Sequence, residues 1–408
     1  MKNCSDPRPP GRLLFVADVP ASRPVSGAEQ VLHQQTRTVA RLCAGAWALT
    51  RSNGADATRW HDADGVTEAS YPADPGSLPS FLWSLARETG PLFDRLAEGA
   101  GFDCVVAHQP FTALALLASG RLRGVPLVYV FHSPGHEEYL LDRGHLPRWR
   151  TSLPALGRRR AERLCLRRAA VVLTLSDYMA EKAVAVHGID RERIVVNPGG
   201  VDQQRFQPPA DRARLKQRLG FPADTVHLLT IRNLEPRMGL DRLVTAIRLL
   251  LDRGLRVSLA IGGNGPLRPA LQDQIDRLDL AGRVRLTGFL PDEAMADWYG
   301  AADFFIVPTR ALEGFGLVTP ESLACGTPVL GTPVGGTREI LGRFDPAFLF
   351  AGNGAAEMAD GIARAMQAFA DQDRYLDLRC RCTAFARECF SWRRHAETLL
   401  AAVAGARD

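Results

Sequence analysis

"HLLTIRNLEPRMGLDRLVTAIRLLLDRGLRVSLAIGG" runs from His227 to Gly263. Its first part, "HLLTIRNL", is a short apolar run of strand length. "GLDRLVTAIRLLLDRG" reads as a helix and "RVSLAIGG" as a second strand. Two apolar strands joined by a helix must lie parallel, buried beneath their crossover. This unit decides the fold class.

The same alternation extends in both directions. Downstream, "LRPALQDQIDRLDL" is a helix, "VRLTGF" a strand and "DEAMADWYGAA" a helix. "DFFIVPT" is a strand, "TPESLACG" a short helix and "PVLGTPVG" the next strand. Upstream, "RLLFVAD" (Arg12 to Asp18) is a buried strand, followed by a helix from about Ala28 to Leu42. "FDCVVAH", "PLVYVFHS", "AAVVLTLS" and "RIVVNPGG" are further strands, separated by "FTALALLASGRL", an Arg-rich helix and "DYMAEKAVAVHG". The chain therefore contains two doubly wound α/β units. "PGGVDQQRFQPP", from Pro198 to Pro209, separates them. The expected division is 1–198, 199–385 and a last segment, 386–408, that crosses back to the first unit with Ser391 as its helix cap.

Composition sets the bounds. At 408 residues and roughly 150 per domain, two or three domains are expected. The hydrophobic fraction of 46% and charged fraction of 23% are those of a globular protein. Apolar runs are strand-sized, and "MKNCSDPRPPGR" has no apolar core of a secretory signal, so the expected location is the cytosol. Eight cysteines form no C-x-x-C pair, and free thiols are expected, Cys4 among them. The cluster Cys380, Cys382 and Cys389 has no histidine at ligand spacing. A net charge of +5 gives no indication of nucleic-acid binding. From Arg148 to Arg168, however, eight arginines accompany one acid, Glu162. That stretch reads as a solvated helix face or as a basic amphipathic surface that meets an anionic membrane or an anionic acceptor.

In open α/β sheets, ligands sit at the carboxyl ends of strands where the strand order reverses. Several candidates fall at such ends. Arg232 ends a strand and Arg237 precedes the next helix; guanidinium groups there can grip a diphosphate. Glu313 lies in the loop after "FFIVPT", and Glu321 in the first turn of the following helix. Two carboxylates can each accept paired hydroxyls of a sugar and a ribose. His132 and His108 follow strands of the first unit. Ser26 and Gly27 stand at a helix N-terminus, where backbone N–H groups favour an anion. Each has an ordinary alternative: helix-dipole stabilisation for Glu321, a solvated loop acid for Glu313, surface cations for the arginines, satisfied loop residues for the histidines. No P-loop and no nucleophile elbow occurs. "DAD" (Asp62 to Asp64) has the spacing of a metal motif but lies in a polar loop away from the other candidates.

Together these segments resemble the family 4 retaining glycosyltransferases of GT-B fold. The resemblance is carried by "EGFGLVTPE", with Glu313 and Glu321 as the family's E-x7-E pair, by "NPGGVDQQRF" as its hinge, by "SGAEQVLHQQTRTVARL" and by "SDYMAEKAV". It implies two Rossmann-like domains facing a cleft. It implies a nucleoside-diphosphate sugar as donor, UDP-sugars first and GDP-mannose next, and a hydroxyl acceptor. It implies that Glu313 and the backbone of Phe315, Gly316 and Leu317 hold the sugar, that Glu321 holds the ribose, and that Arg232, aided by Arg237, neutralises the diphosphate. His132 would lie against the donor sugar, Ser26 and Gly27 near phosphate or acceptor, and the backbone near Phe289 at the base. No metal and no cofactor is expected, because fixed cations and dipoles can stabilise the leaving diphosphate. Two positions depart from the family: Met238 stands where lysine is usual, and Ser26 where a glycine is usual. The alternatives are a GT-B sugar-nucleotide epimerase or phosphorylase, or a non-catalytic sugar-nucleotide-binding protein.

Overall fold

The structure is a computed structural model describing residues 11–22, 26–52, 57–74, 77–144, 146–222, 225–368 and 370–407. Cys4 lies outside the described residues. Packing divides the chain into two units. The first comprises residues up to Leu140, a middle stretch ending at Gly199, and everything from Trp392 onward; the second comprises Leu141–Gly144 and Gly200–Ser391.

The first unit contains β1 (Arg12–Ala17), β2 (Gly45–Arg51), β3 (Arg59–Ala63), β4 (Val66–Tyr71), β5 (Cys104–Ala107), β6 (Leu127–Phe131), β7 (Val171–Thr174) and β8 (Ile194–Val196). Their order is β3-β4-β2-β1-β5-β6-β7-β8, parallel except for the β3–β4 hairpin. Side chains alternate across β1. Leu14 and Val16 enter one core with Phe93 and Leu116, while Leu13, Phe15 and Ala17 enter another with Leu32 and Val39. Both faces are thus covered, as a parallel sheet requires. The second core is completed by Ala396, Leu399 and Val403 of the helix Trp392–Arg407.

The second unit contains β9 (Val226–Ile231), β10 (Val257–Gly262), β11 (Val284–Gly288), β12 (Phe304–Val307) and β13 (Val329–Gly331), all parallel, in the order β11-β10-β9-β12-β13. The opening stretch is therefore β9, the helix Leu240–Asp252 and β10, with Val257 beside Val226 in register. Strand order reverses between β1 and β5 in one unit and between β9 and β12 in the other.

Two expectations are corrected. The segment crossing back begins at Trp392, not 386: residues 386–389 finish the helix Gln372–Cys389, which belongs to the second unit. Asp62 does not lie in a loop. Asp62 is on edge strand β3 opposite Thr67, and Asp64 sits in the hairpin turn at φ 54°, ion-paired to Arg37 at 2.8 Å.

Candidate functional site

The reversal between β9 and β12 places two loops side by side at the carboxyl ends of these strands. Arg232 leaves β9, its N–H donating to Gly262 O at 2.9 Å. Its Nη2 donates to Thr309 Oγ1 at 2.9 Å and pairs with Glu313 Oε2. Thr309 Oγ1 in turn donates to the same Glu313 oxygen at 2.7 Å. Arg232 is 8% exposed and Glu313 6%. Two charges this far from water are tolerable only when paired and hydrogen-bonded. Met238 Sδ lies 3.1 Å from the same Nη2, so the thioether packs on the guanidinium where a lysine would add a second cation.

Glycine turns press the Glu313 loop into place. Leu312, immediately before Glu313, has φ 55°, a conformation that costs a residue with a branched side chain energy and persists only when its surroundings impose it. Arg237 Nη1 donates to Leu312 O at 3.3 Å, and Gly336 N–H donates to Glu313 O at 2.9 Å. Gly335, at φ 53°, approaches so closely that a Cβ there would stand 2.1 Å from Glu313 O. Arg237 thus braces the loop that carries Glu313.

Phe315 turns its ring inward against Phe390, centroids 5.8 Å apart, and is buried, whereas Gly316 and Leu317 are partly exposed. Leu317 opens the helix Val318–Ala324, which carries Glu321. Tyr299 Oη donates to Glu321 Oε2 at 2.9 Å. Burial pushes the Glu321 carboxyl up to about 7. The buried hydroxyls Thr319 Oγ1 and Thr337 Oγ1 have no hydrogen-bond partner among the described residues; Thr337 Oγ1 lies 3.4 Å from where a Gly316 Cβ would stand. Phe289 follows β11 and is 58% exposed.

The other candidates belong to the first unit. Ser26 caps the helix Gly27–Ala40 in a reciprocal pair: Glu29 N–H donates to Ser26 Oγ at 3.4 Å, and Ser26 N–H to Glu29 Oε2 at 3.2 Å. The Ser26 N–H is therefore engaged, whereas a Cβ on Gly27 would meet nothing within 4 Å. His132 follows β6, and its Nε2 lies 3.0 Å from His108 Nδ1. His108 Nε2 reaches Gln35 Oε1 at 2.7 Å, and Gln35 Nε2 reaches His395 Nε2 at 2.7 Å. Burial holds His132 and His395 down at about 4 and His108 well below its ordinary value, so all three imidazoles are neutral at pH 7.

The family described as "Glycosyltransferase Family 4" matches residues 25–205, and "Glycosyl transferases group 1" matches 211–380. A D-inositol 3-phosphate glycosyltransferase of Catenulispora acidiphila is 32% identical over 314 residues, 73% of this chain and 72% of that protein. One of Thermobispora bispora is 31% identical over 311 residues, 74% and 69%. The chain belongs to glycosyltransferase family 4.

Solved structures share the fold of this glycosyltransferase. Sucrose-phosphate synthase of Thermosynechococcus elongatus superposes with a TM-score of 0.77 at 20% identity, covering 95% of this chain and 97% of that one. Anabaena HepE, in complex with UDP and glucose, gives 0.73 at 21%, covering 95% and 97%. The GT-B class read from the sequence is borne out, as is a transferase activity.

The structure also reveals groups with no local sequence signal. Asp18, after β1, caps the helix Pro110–Ala118 by accepting from Phe111 N–H at 3.0 Å and Thr112 N–H at 2.8 Å, next to the first unit's reversal point. His136, Glu162 and His187 bring ligand-type atoms within 4.8 Å of one another. Glu162, the one acid of the Arg-rich helix, is spent there on His187 at 3.0 Å and on the N–H of Gly135 at 3.3 Å. Gln35 and His395, 360 positions apart, would be found only by asking why a histidine interrupts the inward stripe Trp392, Ala396, Leu399, Val403.

Proposed function

We propose that this glycosyltransferase takes a sugar from a nucleoside-diphosphate donor, a UDP-sugar first and a GDP-mannose next. It passes the sugar to a hydroxyl acceptor with retention of anomeric configuration and without a metal. The buried trio Arg232, Thr309 and Glu313 at the β9/β12 reversal carries this reading. As the anomeric bond breaks, negative charge grows on the diphosphate, and a fixed guanidinium stabilises it without the reorganisation water would need. Arg232 commits Nη2 inward, leaving Nε and Nη1 for phosphate oxygens. Glu313 and the main chain of Phe315, Gly316 and Leu317 take the sugar hydroxyls. Glu321 takes the ribose, with Thr319 and Thr337 as further hydroxyl partners. Exposed Phe289 marks the base end. In the first unit His132 meets the reacting sugar and Gly27 offers its N–H to phosphate or acceptor. The acceptor attacks from the face the diphosphate leaves, and a departing oxygen takes its proton.

The name shared by the relatives points to a phosphorylated cyclic polyol as the first acceptor to try. Thermal shift against UDP-, GDP- and ADP-sugars identifies the donor, because a ligand that binds only the folded state raises Tm. Turnover in EDTA and the anomeric coupling of the product then test the remainder. An inverted product, or activity lost to EDTA and restored by a divalent ion, overturns the mechanism.

We also propose peripheral contact with the inner face of an anionic membrane. No helix among the described residues is long and apolar enough to cross one. The helix Arg148–Arg168, however, exposes Trp149 (74%), Leu153 (75%), Leu156 and Leu164 at helical spacing, among its arginines. An acceptor embedded in lipid would suit this surface.

A further inference from the structure

Three histidines of the first unit, His132, His108 and His395, are joined through Gln35 in a line whose direction is fixed at one end. His395 Nδ1 lies 2.9 Å from Pro198 O. A carbonyl oxygen only accepts, so this nitrogen carries the proton. A neutral His395 then has a bare Nε2, which accepts from the Gln35 amide N–H at 2.7 Å. That fixes the amide: Gln35 Oε1 faces His108 Nε2 at 2.7 Å, which must donate. His108 Nδ1 is then bare and accepts from His132 Nε2–H at 3.0 Å. His132 is left with its proton on Nε2 and a lone pair on Nδ1. Reversing any one link sets two donors or two lone pairs face to face. Gln35, His108 and His395 are all at most 3% exposed, so water offers little relief.

We propose that His395 and Gln35 are positioning residues that lock His132 as its Nε2–H tautomer, so that Nδ1 is presented to the substrate as a hydrogen-bond acceptor. The proposal rests on the reading of His132 as a substrate-contacting residue. The anchor is rigid. Asn197 Nδ2 donates to His395 O at 3.0 Å, and the helix bearing His395 is packed into the core through Ala396 and Leu399. The last helix of the chain thereby sets the protonation pattern of a side chain that follows β6, through three hydrogen bonds and no mobile element. The choice of tautomer at one imidazole nitrogen is set by what the other nitrogen meets.

The test is nitrogen-15 NMR of the histidine rings in the full chain, which reads the tautomer directly. In the unmodified protein His132 is expected as Nε2–H, His108 as Nε2–H and His395 as Nδ1–H. Two variants separate the line from the anchor. His395→Asn keeps a donor for Pro198 O but is too short to reach Gln35. It is expected to give mixed tautomers at His132 and a kcat lower by roughly two- to tenfold, the share of His132 that leaves the competent form, with donor KM unchanged. His395→Gln places an acceptor oxygen where Nε2 was and is expected to restore both the tautomer and kcat. An Nδ1–H His132 in the unmodified protein overturns the proposal. So does a His395→Asn protein with unaltered tautomers and kcat. Full turnover by His132→Ala would instead sink the reading of His132 as a site residue, with the NMR pattern intact.

Discussion

Arg232 and Glu313, 81 positions apart, meet as a buried ion pair that shares Thr309 as a common partner. Truncating either to alanine leaves its partner's charge uncompensated away from water. Arg232→Ala and Glu313→Ala should each lose transfer and also about 3–5 kcal/mol of stability in urea titration. Glu313→Gln preserves shape and hydrogen bonding. It should stay closer to native stability while kcat falls by roughly 10²–10³-fold. Near-normal turnover in Glu313→Gln would remove the carboxylate from the reaction.

Glu321 supplies a pH dependence with a definite sign. Its carboxyl is pushed from an ordinary 4.5 up to about 7, chiefly by burial. Between these values the folded state binds the proton and the unfolded state does not. The contribution to stability is therefore complete below about pH 4.5 and is lost as pH rises through 7. The Tm difference between the native protein and Glu321→Gln should fall across this window, and a flat difference would refute the shift. Donor affinity, if it needs the ionised carboxylate, should strengthen over the same interval in calorimetry.

Gly335→Ala should destabilise the second unit by more than about 2 kcal/mol. Left-handed backbone alone costs roughly 1–2 kcal/mol, and the new Cβ would overlap Glu313 O. The same helix provides its own control at Gly342, where a Cβ meets nothing within 4 Å. Gly342→Ala should be neutral or stabilising by about 0.5–1 kcal/mol. Chemical denaturation of the pair decides it: equal losses would mean that close approach at Glu313 is not what Gly335 is for.

Sedimentation with vesicles checks the Arg-rich helix. Binding to phosphatidylglycerol vesicles should weaken with salt and be lost in Trp149→Ala/Leu153→Glu. Phosphatidylcholine vesicles should bind little, since each arginine near an anionic surface contributes about 1 kcal/mol. Equal binding to both lipids would leave no role for the arginines.

Strands β1 and β5–β13 were legible because parallel strands beneath crossover helices are short apolar runs. Strands β2 to β4 were not. β3, "RWHDA", is an exposed edge with no apolar face to betray it. β4, "VTEASY", carries Glu68, which is 2% exposed because it accepts from Ala21 N–H at 2.7 Å and Ser22 N–H at 3.0 Å. A buried acid satisfied by distant backbone looks polar in sequence. The helix Leu78–Ala97 was hidden by Gly90 and Pro91 in its interior. Within the site, Glu313, Glu321 and Arg232 could be picked out because strand ends locate candidates. That Arg232 and Glu313 are each other's partner, and that Arg237 braces Leu312, depends on loop conformations that no spacing encodes.

Trp392–Arg407 closes a core begun by Leu13 and Phe15, with the whole of the second unit threaded between. On the ribosome, therefore, this core is begun before the second unit is made and completed only after it. Until the helix Trp392–Arg407 emerges, the face of the sheet that carries Leu13 and Phe15 is covered only in part, by Leu32 and Val39, and a nascent chain stalled anywhere in the second unit would display the remaining apolar surface to chaperones.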